Sequence, residues 1–406
     1  MNKQKVPELR FPGFTGEWVE KNLLELSENG FSNGVFNDPK MVGSGYKLIN
    51  VKEMYEGDVI NYKNLTLVDI PKTEFQKNKV LKGDIFFTRS SLVKDGIAFS
   101  NIFIDDFEDV TYDGHLIRMR PKKNLLVSKY FSYQLKTQTV RRQLVVRGKT
   151  TTMTTIGQDD IGSVETFIPT LPEQKKIADF LTDIDTKIEK LTRKKELIAE
   201  YKKGVMQKIF SQEIRFKDEN GKNYPDWEEK PGSYVFESVS NKEHNSDLPI
   251  LAITQEYGAI PRDLIDYKIS VTDKSVETYK VVEIGDFIIS LRSFQGGIEY
   301  SNYKGICSPA YLILKPKIKI ENMFFKFYFK TDMYIKKLNQ KLEGIRDGKM
   351  ISYNYFSDAN LIVPSLPEQK KIADFLVDLD TRIQHIDKGL LALKEFKKGL
   401  LQGMFT

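Results

Sequence analysis

The chain has 406 residues, 40% of them hydrophobic and 29% charged, which suits two or three cored domains and excludes a disordered polymer. Lys and Arg number 62 against 56 Asp and Glu, a formal net charge of +6 that permits nucleic-acid binding without demanding it. A single cysteine, Cys307, excludes an internal disulfide. No run nears the ~18 apolar residues of a membrane span, and the opening MNKQKVPELRFPGFTGEW lacks an apolar signal region, so a protein of the reducing cytoplasm is expected.

In chain order, Glu8-Leu9-Arg10-Phe11 and Trp18 open a first unit. Residues 46–51, 84–88 and 116–119 read as short strands, and apolar spacing at Phe131, Leu135, Val140 and Leu144 predicts a helix over about 128–146. A second helix is predicted to start at Pro172, whose missing N–H suits a first turn, followed by Glu173 at the positive end of the dipole. Ile177, Leu181, Ile184, Ile188, Leu191, Ile198, Val205 and Ile209 then alternate at fours and threes, a coiled-coil seam broken by Lys195 and Lys202. About 39 residues at ~1.5 Å each give roughly 58 Å of helix.

The polar stretch 211–229 reads as a link, after which the pattern begins again. Glu213-Ile214-Arg215-Phe216 and Trp227 repeat the opening. Residues 285–293 match 83–90 with one insertion, and 312–316 match 116–121. Strands are expected at 248–254, 286–291 and 310–314, and a helix over about 321–342. Residues 364–405 then repeat 169–210 without a gap, at an offset of 195 and with about half the positions identical. This second seam carries Lys397 as its polar break. A period this long means two copies of one unit. A lone helix with such a stripe cannot rest in water, so the two copies are predicted to pair, antiparallel because the link is short. Identical polar residues at Glu173/Glu368, Gln174/Gln369, Lys175/Lys370 and Asp179/Asp374 are expected to be exposed and to offer two copies of a partner surface.

No catalytic pattern stands out. No Gly-rich cofactor loop or Asn-Pro-Pro-Tyr loop of a methyltransferase is present. Gly148-Lys149-Thr150 resembles the end of a phosphate-binding loop, but Gln143 stands where that loop needs glycine. His115, His244 and His385 lie far apart without a ligand partner at zinc spacing, Asp218 with Lys222 is too little for a nuclease, and the lone Cys disfavours nucleophilic catalysis. No cofactor or metal is expected.

PxLPEQKKIADFLxxxD, present twice and closing two divergent globules, resembles the specificity subunit of type I restriction-modification systems, over the whole chain. The Gly83-Asp84-Ile85-Phe86-Phe87-Thr88-Arg89 segment is similar to a common strand and loop of that family's target recognition domains. The resemblance implies an α+β fold: two target recognition domains (1–168 and 211–363) separated by long antiparallel helices (169–210 and 364–406), with a pseudo-two-fold repeat. It implies that each globule reads half of a split site on double-stranded DNA. The helices would set the spacer and bind two modification subunits, and restriction subunits would join that core. Methylation and ATP-driven cleavage would belong to those partners. The partner-binding candidates are then Leu171, Pro172, Glu173, Gln174, Lys175 and Asp179, with Leu366, Pro367, Glu368, Gln369, Lys370 and Asp374.

Base readout and phosphate anchoring suggest Arg89, Ser90, Arg141, Arg142, Arg147, Lys149, Thr151 and Thr152 as DNA contacts in the first globule. In the second they suggest Arg292, Ser293, Gln295, Arg346, Lys349, Tyr353 and Asn354. Arg89 and Arg292 occupy matching positions after a Gly-Asp strand, which favours phosphate anchoring. Two other readings stay open: a methyltransferase with unrecognised motifs, and an interaction scaffold or orphan partner without DNA binding.

Overall fold

The computed structural model describes residues 6–36, 39–244, 247–265, 276–340 and 351–405. Contacts divide the chain into two units, residues 1–191 with 389–406, and residues 192–388.

In the first unit a four-stranded antiparallel sheet runs in the order Ser27–Asn33, Leu116–Pro121, Ile85–Thr88, Ser100–Ile102. Its third strand is buried on both faces. Ile85 and Phe87 join the main core with Trp18, Phe131, Leu144 and Leu181, while Phe86 points the other way, onto Ile49, Met54, Phe103 and Tyr112. That is the period of two expected of a pleated strand. The second unit repeats the sheet as Phe236–Val239, Leu312–Pro316, Phe287–Ile289, Glu299–Tyr300. Phe287 and Ile289 enter a core of Phe236, Phe324, Phe325, Phe329 and Phe356, and Ile288 faces Leu251 and Val282.

The repeated Gly-Asp is a turn device. Gly83 and Gly285 sit at φ of 93° and 97°, a region that favours glycine. The following carboxylates then close the turn: Leu81 N–H donates to Asp84 Oδ2 at 2.9 Å, and Glu283 N–H to Asp286 Oδ2 at 2.8 Å. Arg120 also holds buried Asp84 with two bonds of 2.8 Å.

Each helix expected in a globule interior is two helices. Ser128–Gln134 stops and Gln138–Arg147 follows; Asn322–Tyr328 stops and Asp332–Gln340 follows. The break has one cause in both copies. The Thr137 hydroxyl donates back to the Gln134 carbonyl, and the Thr331 hydroxyl to the Tyr328 carbonyl, each at 2.7 Å.

The long helices span Leu171–Phe210 and Leu366–Gly403, and each contributes to both units. In the second unit Lys195 pairs with Asp387 at 2.6 Å and Lys202 with Asp380. The numbers run in opposite directions, so the helices are antiparallel there. In the first unit Lys397 pairs with Asp185, and Leu393, Leu400 and Leu401 pack on the core that holds Ile177, Leu181 and Ile184. The three lysines that seemed to break the seam are therefore cross-helix ion pairs. Such pairs add little stability at the surface but fix register, since a slip would strand each lysine against apolar side chains. Among the described residues no helix is long and apolar enough to cross a membrane.

Candidate nucleic-acid interface

The strand Ile85–Thr88 ends at exposed Arg89, and the chain continues into a short strand, Ser90–Ser91. That strand pairs with Thr154–Thr155, which pairs with Lys149–Thr150. Residues 89–90 and 149–155, 60 positions apart in sequence, thus form one small sheet. Gly148 permits the approach, because a Cβ there would meet Thr154 Cγ2 at 2.8 Å. The Thr150 and Thr154 hydroxyls lie 2.9 Å apart, and Thr151, Thr152 and Met153 form an exposed tip. Beside it Ser91 makes a tight turn, donating to the Val93 carbonyl at 2.7 Å, and this lifts Leu92 to 87% exposure.

The cations of this region divide into two groups. Arg89 and Arg142 are exposed and make no side-chain hydrogen bond or ion pair with any described residue. Lys149 is exposed and only loosely paired with Asp160, at 3.4 Å. Arg141 and Arg147 are committed to the fold. Arg141 donates to the carbonyls of Ala98, Asp95 and Ile97 at 2.7–2.9 Å, and burial pushes its pKa down. Arg147 ties its helix to Ser163. These two are props rather than free donors.

In the second unit Arg292 again follows the Gly-Asp strand and is exposed. Here the chain turns into a short helix, Ser293–Gly296, instead of a strand. Ser293 is 1% exposed and its hydroxyl accepts Ser290 N–H at 2.9 Å, so it faces inward. Gln295 and Asn354 are exposed, while the Tyr353 hydroxyl donates to the Phe236 carbonyl at 3.0 Å. Arg346 and Lys349 lie outside the described residues.

The expected partner surface needs a larger correction. Glu173 is 1% exposed and Glu368 0%; Gln174 is 0% and Gln369 2%. Each glutamate clasps the arginine of the opening motif. Arg10 donates to Glu173 at 2.7 and 2.8 Å, and Arg215 to Glu368 at 3.2 and 3.0 Å. Each glutamine stitches the helix start to the globule: Gln174 accepts from Val127 N–H and donates to the Leu125 and Pro169 carbonyls, and Gln369 accepts from Glu321 N–H and donates to the Pro364 carbonyl. Buried polar groups need such partners. Leu171 and Leu366 are half-buried. Pro172, Pro367, Lys175, Lys370, Asp179 and Asp374 stay exposed, with Lys175–Asp179 and Lys370–Asp374 as i,i+4 pairs. The signal for the clasp was in the sequence: an arginine repeated in Glu-Leu-Arg-Phe and Glu-Ile-Arg-Phe, matched by a repeated glutamate.

Cys307 is buried and its thiol is pushed up to about 12 by that burial, so it is no nucleophile near neutral pH. Among the described residues no group of three or more His, Cys, Asp or Glu is arranged to hold a metal ion.

The chain is 27% identical over 406 residues to a protein of Methanocaldococcus jannaschii named provisionally as the type I restriction enzyme MjaX specificity subunit, covering 95% of this chain and 91% of the relative. It is 24% identical over 420 residues to the type I restriction enzyme MjaVIII specificity subunit of the same organism, covering 89% and 96%. Its fold is similar to the crystal structure of a type I restriction-modification system S subunit from M. genitalium, with a TM-score of 0.59, 16% identity and 99% of each chain covered. A family model described as the type I restriction modification DNA specificity domain matches residues 16–199 and again 226–394. With most of its length matched in two copies, the chain belongs to the family of type I restriction modification DNA specificity domains.

Proposed function

We propose that this chain is the DNA-recognition subunit of a type I restriction-modification complex, and that each globular domain reads one half of a divided target on double-stranded DNA. The domains are taken as residues 1–168 and 211–363, and the repeated helices as 169–210 and 364–406. One observation carries the reading. The family match is duplicated, and in each copy the same buried strand is followed by an exposed arginine, Arg89 directly after Thr88 and Arg292 three residues after Ile289.

In the first domain the exposed face offers two kinds of contact. Arg89, Arg142 and Lys149 are cations free to meet phosphates. Half-buried Ser90 on the small sheet, and Thr151 and Thr152 at its exposed tip, are short hydroxyl donors and acceptors suited to base edges. In the second domain Arg292, Gln295 and Asn354 supply the same chemistry. The interiors differ between copies while the frames agree, as expected if the two domains read different sequences. The helices set the number of unread base pairs between the halves. Two modification subunits bind them through the residues that stay exposed, Pro172, Lys175 and Asp179 with Pro367, Lys370 and Asp374. Restriction subunits join through that complex, methylation and cleavage belong to the partners, and the complex works in the cytoplasm.

The test is binding by this chain together with its modification subunits. Labelled duplex carrying the methylated motif should be retained in excess random duplex. Equal competition by random DNA would leave a scaffold without sequence recognition.

A further inference from the structure

The second unit contains a cleft of about 600 Å3 that the alignment of the two copies does not reveal. One wall is the hairpin Leu251–Thr254 with Gly258–Pro261, and the other is the loop that leaves the central strand at Ser290, Leu291 and Arg292. Arg262 sits at the end of the hairpin and lines the cleft with Arg292. The two walls meet at Gly296, where a Cβ would lie 2.5 Å from Gln255 Cδ.

Two features point to a ligand. Arg262 is half-buried, and its Nε and Nη1 are buried and have no hydrogen-bond partner among the described residues. A desolvated guanidinium without acceptors is costly, so a fold that retains one leaves a place for acceptors to arrive. Arg292 also lines the cleft, and burial raises the Tyr311 hydroxyl pKa, a rise that nearby Arg262 and Arg292 only partly oppose. Among the described residues the one carboxylate lining the cleft, Glu256, is engaged with the Tyr257 hydroxyl.

A group with paired acceptors satisfies a guanidinium, and DNA offers two: a phosphate and the O6/N7 edge of guanine. The walls favour the base. Leu251, Ile253, Ile265 and Leu291 are apolar, and Tyr257 and Tyr311 bring aromatic rings. Such walls suit the base edges and thymine methyl groups that the major groove presents, whereas a phosphate would lose its water against them. We propose that Arg262 is a specificity-determining residue of the second domain, reading one guanine of its half-site within this cleft. The proposal rests on the DNA-recognition reading above.

The experiment uses the complex of this chain with its modification subunits, and duplexes in which each pair of the target is substituted in turn. Arg262→Ala is expected to reduce discrimination at one G·C pair by roughly 10- to 100-fold, leaving the other positions unchanged. Arg262→Lys should recover only part of the discrimination at that pair, because a flexible ammonium lacks the rigid planar fork that matches O6 and N7. Melting of each variant near the wild-type temperature checks the fold. Three results overturn the proposal: an affinity loss equal on every duplex and restored by Lys, which marks a phosphate anchor; no change at all; or a half-site without a G·C pair. Absence of any sequence preference in the wild-type complex would instead remove the recognition reading itself.

Discussion

Replacing Glu173 with alanine separates a structural clasp from a docking surface. Glu173 is almost fully buried, its side chain 2% exposed against 16% for Arg10, and both of its oxygens accept from that guanidinium. Hydrogen bonds to charged groups are worth about 1.5–3 kcal/mol, and breaking a fully buried pair costs about 3–5 kcal/mol because one charge is stranded. Arg10 is not stranded, since the Gly16 and Thr15 carbonyls still accept from it at 2.7 and 3.3 Å. The expected loss is therefore about 2–3 kcal/mol. For a unit of this size each kcal/mol lowers Tm by about 2–4 °C, so a fall of roughly 4–12 °C is expected by calorimetry. Lys175→Ala, on the exposed side of the same turn, should cost under about 0.5 kcal/mol. A cycle with Arg10→Ala should show the two losses to be strongly non-additive. If Glu173→Ala melted like wild type yet no longer bound the modification subunits, the clasp would be wrong and the glutamate would face a partner.

Arg89→Ala should weaken binding about equally on matched and mismatched duplexes and reduce the salt slope by about one; loss confined to one base pair would mean base readout instead. Acid should loosen the first unit through Asp58. Burial disfavours its carboxylate, but Lys136 and Lys397, at 3.2 and 3.1 Å, outweigh that and hold it at about 2. A depressed value means stabilisation present above the ordinary carboxylate range and lost as pH falls through about 2. With the Asp58 side chain 56% exposed, screening trims this to ~1 kcal/mol or less; a wild-type pH–stability curve in Asp58→Asn would exclude the effect. Inserting four residues after Lys195 and four after Ile386, about 6 Å of helix in each, keeps the Lys195–Asp387 and Lys202–Asp380 pairs on either side of the insertion and should lengthen the unread spacer by one or two base pairs. An unchanged spacer would remove the helices from that role.

Much of the fold was legible because duplication writes it twice. The gap-free repeat of the long helices and the Gly-Asp strands rest on local pattern, whereas the order of the strands in each sheet does not and was not read from the sequence. What escaped depends on partners remote in sequence. Lys195, Lys202 and Lys397 look like defects in an isolated seam, and only the facing helix supplies Asp387, Asp380 and Asp185. Glu173 and Gln174 look like surface, as polar residues usually are, until Arg10, 163 positions earlier, and residues 125–127 are brought to them. The broken helices were within reach, since Thr137 and Thr331 stand at the same place in both copies. Arg262 was not, because no repeat marks it and its signature is a buried donor without an acceptor among the described residues.

The central claim is that two domains read two halves of a target independently. It is tested most directly by sequencing the methylome of cells that express this chain with its modification subunits, alongside cells in which residues 20–165 are exchanged for those of a relative. The account predicts a divided motif for the wild type, and for the exchanged chain the same motif with one half replaced and the other retained. An undivided motif, or a change in both halves at once, would contradict it.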